Sequence, residues 1–275
     1  MGDKNHMLPN IQQVSRIIRD AAAKEILPRF RSLAEHEILE KTAGELVTAA
    51  DIEAERVLGE ALGELIADSI IVGEEGTEAD PGLLDTLAGP NSAWIIDPVD
   101  GTRNFVMGKP CFAVIVALCQ NGATQAGWIY DPLSDSMITA TAGGGAWEDG
   151  KQLHLAPAGP VAKLSGSLGS GPRKRLQSRR EAGEADLPSR ITRYGCVGRE
   201  YMDLARGNLH FARYAQNLKP WDHAAGVLIH REAGGVSGLV ENQTAYSPLD
   251  GLLGGTLILA PDLKTWDSLC RLLTA

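Results

Sequence analysis

Aromatic side chains are scarce in this sequence, at 5% of 275 residues, so aliphatic side chains must fill the core. Cysteine is scarce too. Cys111, Cys119, Cys196 and Cys270 form no C-x-x-C pair, which removes the usual zinc spacings. Their scatter, with no signal peptide, is the pattern of a reduced cytoplasmic protein. No apolar run approaches the roughly 20 residues that a membrane helix needs. Positive charge is in deficit, with 26 Lys and Arg against 35 Asp and Glu, a net charge of −9. That balance argues against nucleic acid as the main partner. It leaves an anionic substrate open, because bound metal ions reverse the field locally.

The length allows one large domain or two closely packed halves. The first few residues read as frayed. Ile11, Val14, Ile17, Ile18 and Ala21 recur at helical spacing, and Pro28 should end or kink that helix. A second helix should begin after Thr48, where Thr48-Ala49-Ala50-Asp51 resembles a capping box with Asp in place of Glu. Ile70-Ile71-Val72 and Ala93-Trp94-Ile95-Ile96 read as buried strands. Asn121-Gly122 between two apolar runs is a hairpin signal, and Gly143-Gly144-Gly145 and Asp149-Gly150 mark further turns. Residues 90–155 thus form a strand-rich meander. Ala156 to Pro160 is the candidate boundary.

Beyond it, strands are expected at Lys163 to Leu168, Ile191 to Tyr194, Leu209 to Tyr214 and Thr256 to Leu259. Helices are expected at Gly198 to Arg206, Trp221 to Ala233 and Pro261 to Leu273, with Pro261 in the first turn of the last. Gly234-Gly235 should end the helix before it. The chain therefore reads as α/β: an α+β layered half at 8–155 followed by an α/β half at 156–275.

The run Asp97-Pro98-Val99-Asp100-Gly101-Thr102 carries the chemistry. Two carboxylates held close as they leave a buried strand need a cation or a proton. Mg²⁺, a hard ion that prefers oxygen, is the simplest cation. Gly101 allows close approach, and the N–H groups of Gly101 and Thr102 can cradle an anion. Glu74 and Glu75 follow another strand, and Asp222 stands at a helix start. Singly, each has an ordinary use as a solvated turn, a cap or a first-turn carboxylate. Together they are what a metal-dependent phosphatase needs. The basic cluster at Arg173-Lys174-Arg175 and Arg179-Arg180 reads as a solvated face, with an RNA- or protein-binding patch as the alternative.

Three motifs in order resemble the inositol monophosphatase family. They are Gly73-Glu74-Glu75, then Trp94-Ile95-Ile96-Asp97-Pro98-Val99-Asp100-Gly101-Thr102-Arg103-Asn104-Phe105, then Pro220-Trp221-Asp222-His223-Ala224-Ala225-Gly226. Leu46 to Asp51 and Glu232 to Val236 add to the likeness, which runs from about residue 11 to the end. The resemblance implies an αβαβα sandwich and a lithium-sensitive, Mg²⁺-dependent phosphomonoesterase with two to three ions per subunit, working as a homodimer. It implies that Glu74, Asp97 and the Val99 carbonyl hold the first ion, and that Asp97, Asp100 and Asp222 hold the second. Asp51 and Thr102, with Glu74 nearby, would orient and deprotonate the water. Gly101 and Thr102 would bind phosphate through N–H groups. Glu74, Asp100 and Asp222 would also border the substrate, with Glu75 behind the ligands and His223 structural.

Inositol-specific members carry a carboxylate shortly before the Trp-Asp motif. Residues 208–221 contain none, and Arg213, Tyr214 and Ala215 occupy the region. A polyol hydroxyl buried without its acceptor costs roughly 1–3 kcal/mol, enough to change substrate preference. Gly195-Cys196-Val197 also departs from the family's small, polar pattern. A guanidinium at Arg213 would favour a second anionic group. The expected substrate is a small phosphomonoester, either inositol 1-phosphate or a related sugar or polyol phosphate. The alternatives are 3′-phosphoadenosine 5′-phosphate, fructose 1,6-bisphosphate and histidinol phosphate. A regulatory role through Arg173 to Arg180 is the reading from another class.

Overall fold

The computed structural model describes residues 8–42, 45–252 and 254–274; the frayed start expected at residues 1–7 lies outside them. Asn10 accepts the N–H groups of Gln12 and Gln13 and so starts α1 (Ile11–Ala21). A π-helical turn, Ala22–Ile26, prolongs α1, and the chain leaves it in the turn around Pro28. A hairpin of β1 (Ile38–Thr42) and β2 (Glu45–Thr48) precedes α2 (Ala49–Gly63). The capping box at Thr48 and Asp51 is formed: the Thr48 N–H donates to Asp51 at 2.8 Å.

The large sheet has seven strands in sequence order: β3 (Ile70–Gly73), β4 (Ala93–Asp100), β5 (Ala113–Gln120), β6 (Ala123–Asp131), β7 (Ser136–Thr141), β8 (Gly145–Glu148) and β9 (Lys151–Leu153). Only β3 and β4 run parallel. Two short helices, α3 (Glu74–Ala79) and α4 (Thr102–Val106), leave the ends of β3 and β4. Asn121 and Gly122 both take positive φ, as the tight hairpin between β5 and β6 requires.

The second sheet has five strands, ordered β11-β10-β12-β14-β13. They are β10 (Ser165–Leu168), β11 (Arg190–Thr192), β12 (Phe211–Ala215), β13 (Val236–Leu239) and β14 (Thr256–Ala260). The helices of this region are α5 (Ser170–Glu181), α6 (Val197–Arg206), α7 (Pro220–Glu232) and α8 (Leu263–Thr274). The sequence pattern missed β13, α5 and the first hairpin. It also placed Pro261 inside α8, whereas Asp262 caps that helix through the Thr265 N–H at 2.8 Å and Pro261 precedes the cap.

Strand alternation builds the layers. Trp94, Ile96, Val114 and Val116 pack against Val14, Ile18, Ala54 and Leu58 of α1 and α2. Their neighbours Ile95, Ile115 and Ala117 face Tyr201, Ala224 and Leu228 of α6 and α7, which also meet Leu257 and Leu259 of the second sheet. Phe211 and Ile258, on that sheet's far face, pack with Leu176 of α5 and Trp266 and Leu269 of α8. The result is the αβαβα sandwich. Within the described residues no helix is long and apolar enough to cross a membrane.

Close packing of α6 on α7 depends on Gly226. A Cβ there would stand 2.2 Å from the ring of fully buried Tyr201. Gly226→Ala should destabilise the fold by about 1–3 kcal/mol, read as a lower midpoint in urea. His230 of α7 is buried beside Ser237, and burial lowers its pKa to about 3. The folded state keeps this ring neutral while the unfolded chain protonates it below about pH 6.5. This contribution to stability is complete above that pH and declines as the pH falls, by about 2 kcal/mol at pH 5. Denaturant titrations of His230→Gln should show a correspondingly shallower loss between pH 6.5 and 5.

Candidate active site

The site is made where β4 is irregular. Three steps along β4, from Asp97 to Asp100, oppose two along β5, from Ile115 to Ala113. Pro98 has no N–H to give to the ladder, and the Val99 N–H turns to Asp97 Oδ1 at 3.1 Å. Residues three apart on a regular strand point to opposite faces; the extra residue brings Asp97 and Asp100 to the same side. The two carboxylates therefore belong to the distorted end of the strand rather than to a loop after it.

Gly101 follows at φ 91°, and a Cβ there would meet the Cys111 carbonyl and the Cys196 Cβ at 3.1 Å each. Only glycine suits both the conformation and the space. The N–H groups of Gly101 and Thr102 then lie at the open start of α4, outside its internal ladder. Two residues beyond Thr102 in α4, Asn104 extends its amide to the carbonyls of Cys111, Tyr194 and Gly195 at 2.9, 3.0 and 3.0 Å.

Asp51 stands behind this turn, 1% exposed, in the first turn of α2. It accepts Thr48 through backbone and hydroxyl, at 2.8 and 2.5 Å. Thr102 Oγ1 lies 3.1 Å from Asp51 Oδ1 and 3.1 Å from the Val99 carbonyl. Burial pushes the Asp51 pKa up to about 6; the bonds from Thr48 and Thr102 hold it down, and Glu74 adds to the rise. The family resemblance brought Asp51, Val99 and Thr102 into view, and the fold joins them through one hydroxyl.

Glu74 opens α3, which Glu55 of α2 caps by accepting the N–H groups of Glu75 and Gly76 at 2.8 and 2.7 Å. Gly73 makes room for that carboxylate, since a Cβ would stand 2.1 Å from it. Lys41 of β1 pairs with Glu75 at 2.6 Å and reaches Glu74 at 3.6 Å. Burial lifts Glu75 to about 7 against the pull of Lys41. Sequence reading missed Glu55 and Lys41. Glu55 carried a signal, lying four residues beyond Asp51 on the same helix. Lys41 carried none.

Asp222 comes from the first turn of α7, after Pro220. Asp100 and Asp222 border one cavity of about 400 Å³, together with Arg193, Glu200, Arg213 and Tyr214. Asp100 is held by the Val197 and Gly198 N–H groups, at 3.0 and 2.5 Å, and by the Cys196 thiol at 3.0 Å. Burial raises Asp100 to about 6. Burial raises Asp97 and Asp222 well above the usual carboxylate range. Glu74 and Asp100 add to both, and Asp222 adds to Asp97. His223 is buried, meets the Tyr201 hydroxyl at 3.0 Å, and is pushed down to about 3 by desolvation. It is a neutral structural ring.

The cavity wall does hold a carboxylate besides Asp100 and Asp222: Glu200, from α6 rather than β12. Glu200 accepts Ser167 Oγ, the Tyr194 N–H and the Tyr214 hydroxyl at 2.6, 3.0 and 2.8 Å. Its acceptor capacity is thus largely spent within the protein. The basic stretch forms α5, where Arg179 pairs with Glu184 and bonds the Leu272 carbonyl, and Arg180 bonds that of Pro188.

Among the described residues, no three acidic, His or Cys side chains close into a finished metal cage. Asp100 is turned to the α6 N–H groups and Glu74 to Lys41. The donor set nevertheless fits a hard divalent cation. It is all carboxylate and carbonyl oxygen, with Asp97, Val99 and Asp100 buried and Glu74 and Asp222 partly so, and the charges of Glu74 and Asp100 raise the pKa of Asp97 and Asp222 as unneutralised neighbours do.

The inositol monophosphatase family profile matches residues 9–270. The Nus factor SuhB of Vibrio cholerae is 31% identical over 204 residues, 72% of this chain and 73% of that one. Inositol monophosphatase 1 of Sus scrofa is 31% identical over 237 residues, 82% and 79% of the two chains. In structure, the IMPase of Thermotoga maritima superposes with a TM-score of 0.79 over 94% of each chain at 24% identity, a likeness of fold. Fold and sequence together define a metal-dependent hydrolase of small phosphomonoesters. The chain belongs to the inositol monophosphatase family.

If mutual repulsion governs the cluster, removing one charge should relieve it. Metal-free Asp97→Asn should melt at a higher temperature than metal-free wild type. It should also lose the stabilisation that Mg²⁺ gives wild type and about 10²-fold or more in phosphatase rate. Calorimetry with and without Mg²⁺, beside phosphate release, checks all three.

Proposed function

We propose that this chain is a Mg²⁺-dependent phosphatase of inositol 1-phosphate or a related sugar or polyol phosphate. The observation that carries this reading is the convergence of Asp97, Asp100 and Asp222 from β4 and α7 into one largely buried acidic cluster beside an open cavity. Glu74, Asp97 and the Val99 carbonyl would hold a first ion, and Asp97, Asp100 and Asp222 a second. When bound, such ions neutralise the carboxylates, make water acidic enough to attack at neutral pH, and stabilise the leaving alcohol's oxygen.

The chain's own groups do the rest. Thr102 orients the attacking water, and Asp51, with its pKa near 6, is placed to take the proton through the Thr102 hydroxyl. The Gly101 and Thr102 N–H groups, at the start of α4, receive phosphate oxygens. Glu55 fixes the turn that presents Glu74. Two halves share the work in this proposal: 8–155 supplies most of the ligands, and 156–275 supplies Asp222 and the cavity wall. The family likeness extends the proposal to two or three ions per subunit, a homodimer and a cytoplasmic setting. Regulation through α5 gains little support, because Arg179 and Arg180 are tied into the fold.

Phosphate release should be measured across a panel holding inositol 1-phosphate, sugar monophosphates, fructose 1,6-bisphosphate, 3′-phosphoadenosine 5′-phosphate and histidinol phosphate, with and without Mg²⁺ and Li⁺. The expected result is Mg²⁺-dependent, Li⁺-inhibited release, lowered at least about 10²-fold by Asp51→Asn. Full activity in EDTA, or an Asp51→Asn enzyme as fast as wild type, would remove the assignment.

A further inference from the structure

Arg213 is the least satisfied charged group beside the site. It lies mid-sheet on β12, in register with Leu168 of β10 and Ile258 of β14. Its Nε is buried without a hydrogen-bond partner, and among the described residues no carboxylate forms an ion pair with its guanidinium. A buried donor left without an acceptor is costly, so an external acceptor is favoured there. The side chain forms part of a second cavity, about 700 Å³, whose wall includes Arg175 and the start of α5. Burial and then Arg175 lower the Arg213 pKa, and Glu241 offsets them in part. Glu241 is the one acidic residue in that wall, and it already accepts the Thr256 N–H at 3.0 Å. Two guanidiniums against one carboxylate leave a positive excess.

The two cavities share Gly169, Arg213 and Ala215. A substrate with its reacting phosphate at Asp100 and Asp222 can therefore extend past Arg213 into the second. Arg193 adds another cation to the first cavity's wall. None of the three residues that the cavities share is acidic, Ala215 ending β12 where a longer side chain would narrow the passage.

We infer that Arg213 and Arg175 form a subsite for a second phosphate group, so that the preferred substrate is a bisphosphate hydrolysed at the end held by the acidic cluster. A guanidinium pair suits this ligand, because each presents a planar fork of donors to phosphate oxygens. The inference rests on the phosphatase reading for the hydrolysed end, while the subsite itself stands on the arginines alone.

Two measurements separate these. In EDTA the acidic cluster repels phosphate, so any binding of inorganic phosphate reports the arginines. Wild type should then show a phosphate-dependent rise in melting temperature that Arg213→Ala lacks. With Mg²⁺, the ratio of kcat/KM for fructose 1,6-bisphosphate to that for fructose 1-phosphate should favour the bisphosphate. It should fall about tenfold or more in Arg213→Ala, as loss of a charge-assisted bond implies. Arg175→Ala, on the exposed face of α5, should lower the same ratio without touching the sheet, and circular dichroism confirms that each variant is folded. The subsite is overturned if phosphate stabilises metal-free wild type and Arg213→Ala equally or not at all, or if neither variant changes the ratio. Arginine-dependent phosphate binding in a protein that hydrolyses no phosphomonoester would instead overturn the phosphatase reading and leave the subsite standing.

Discussion

The gathering of buried Asp97 and Asp100 with partly buried Asp222, near enough that Asp100 raises the pKa of the other two, is the constraint to which the surrounding structure is fitted. Carboxylates do not enter a protein interior without something to balance them. Here the balance is divided. Backbone N–H groups of α6 take Asp100, Lys41 takes Glu75 and reaches Glu74, and Thr48 with Thr102 takes Asp51. Asp97 and Asp222 have the least protein compensation. They are the positions where a cation gains most.

The layers exist to hold those groups still. The carboxylates leave four separate elements: Asp51 α2, Glu74 α3, Asp97 and Asp100 β4, and Asp222 α7. The elements are fixed by apolar faces that alternate along the central strands. An irregular β4 would be a liability at a sheet edge, but β3 holds it as far as Ile96 and β5 pairs with it at both ends of the irregularity, at Asp97 and Asp100. The distortion is thereby confined to the residues that use it.

Much of this was legible in the residues. Helical spacing located α1 and α2, the Asn121-Gly122 pair located a hairpin, and Thr48 with Asp51 declared its capping box. The motifs around Asp97, Glu74 and Asp222 pointed to one chemistry before any fold was known. Other features depended on tertiary context. β13 reads Val-Ser-Gly-Leu, and the Ser and Gly at its centre leave no apolar run to announce it. α5 is a charged surface helix with only Leu176 buried, so its apolar stripe is almost absent. Lys41 and Glu200 gain meaning only from what the fold sets beside them. The carboxylate sought on β12 has a counterpart on α6, nearby in space and unrelated in spacing.

Asn104 ties together three carbonyls that lie 7, 90 and 91 residues away along the chain. Contacts of such separation are entropically late, because the intervening chain must be organised before they can reward it. The turn at Gly101 packs against the same carbonyl of Cys111 and against the Gly195 backbone. The catalytic turn therefore owes its shape to a segment about ninety residues downstream. A chain cut short of residue 194 would keep the acidic turn's own residues and lose two of the three carbonyls that hold Asn104 in place.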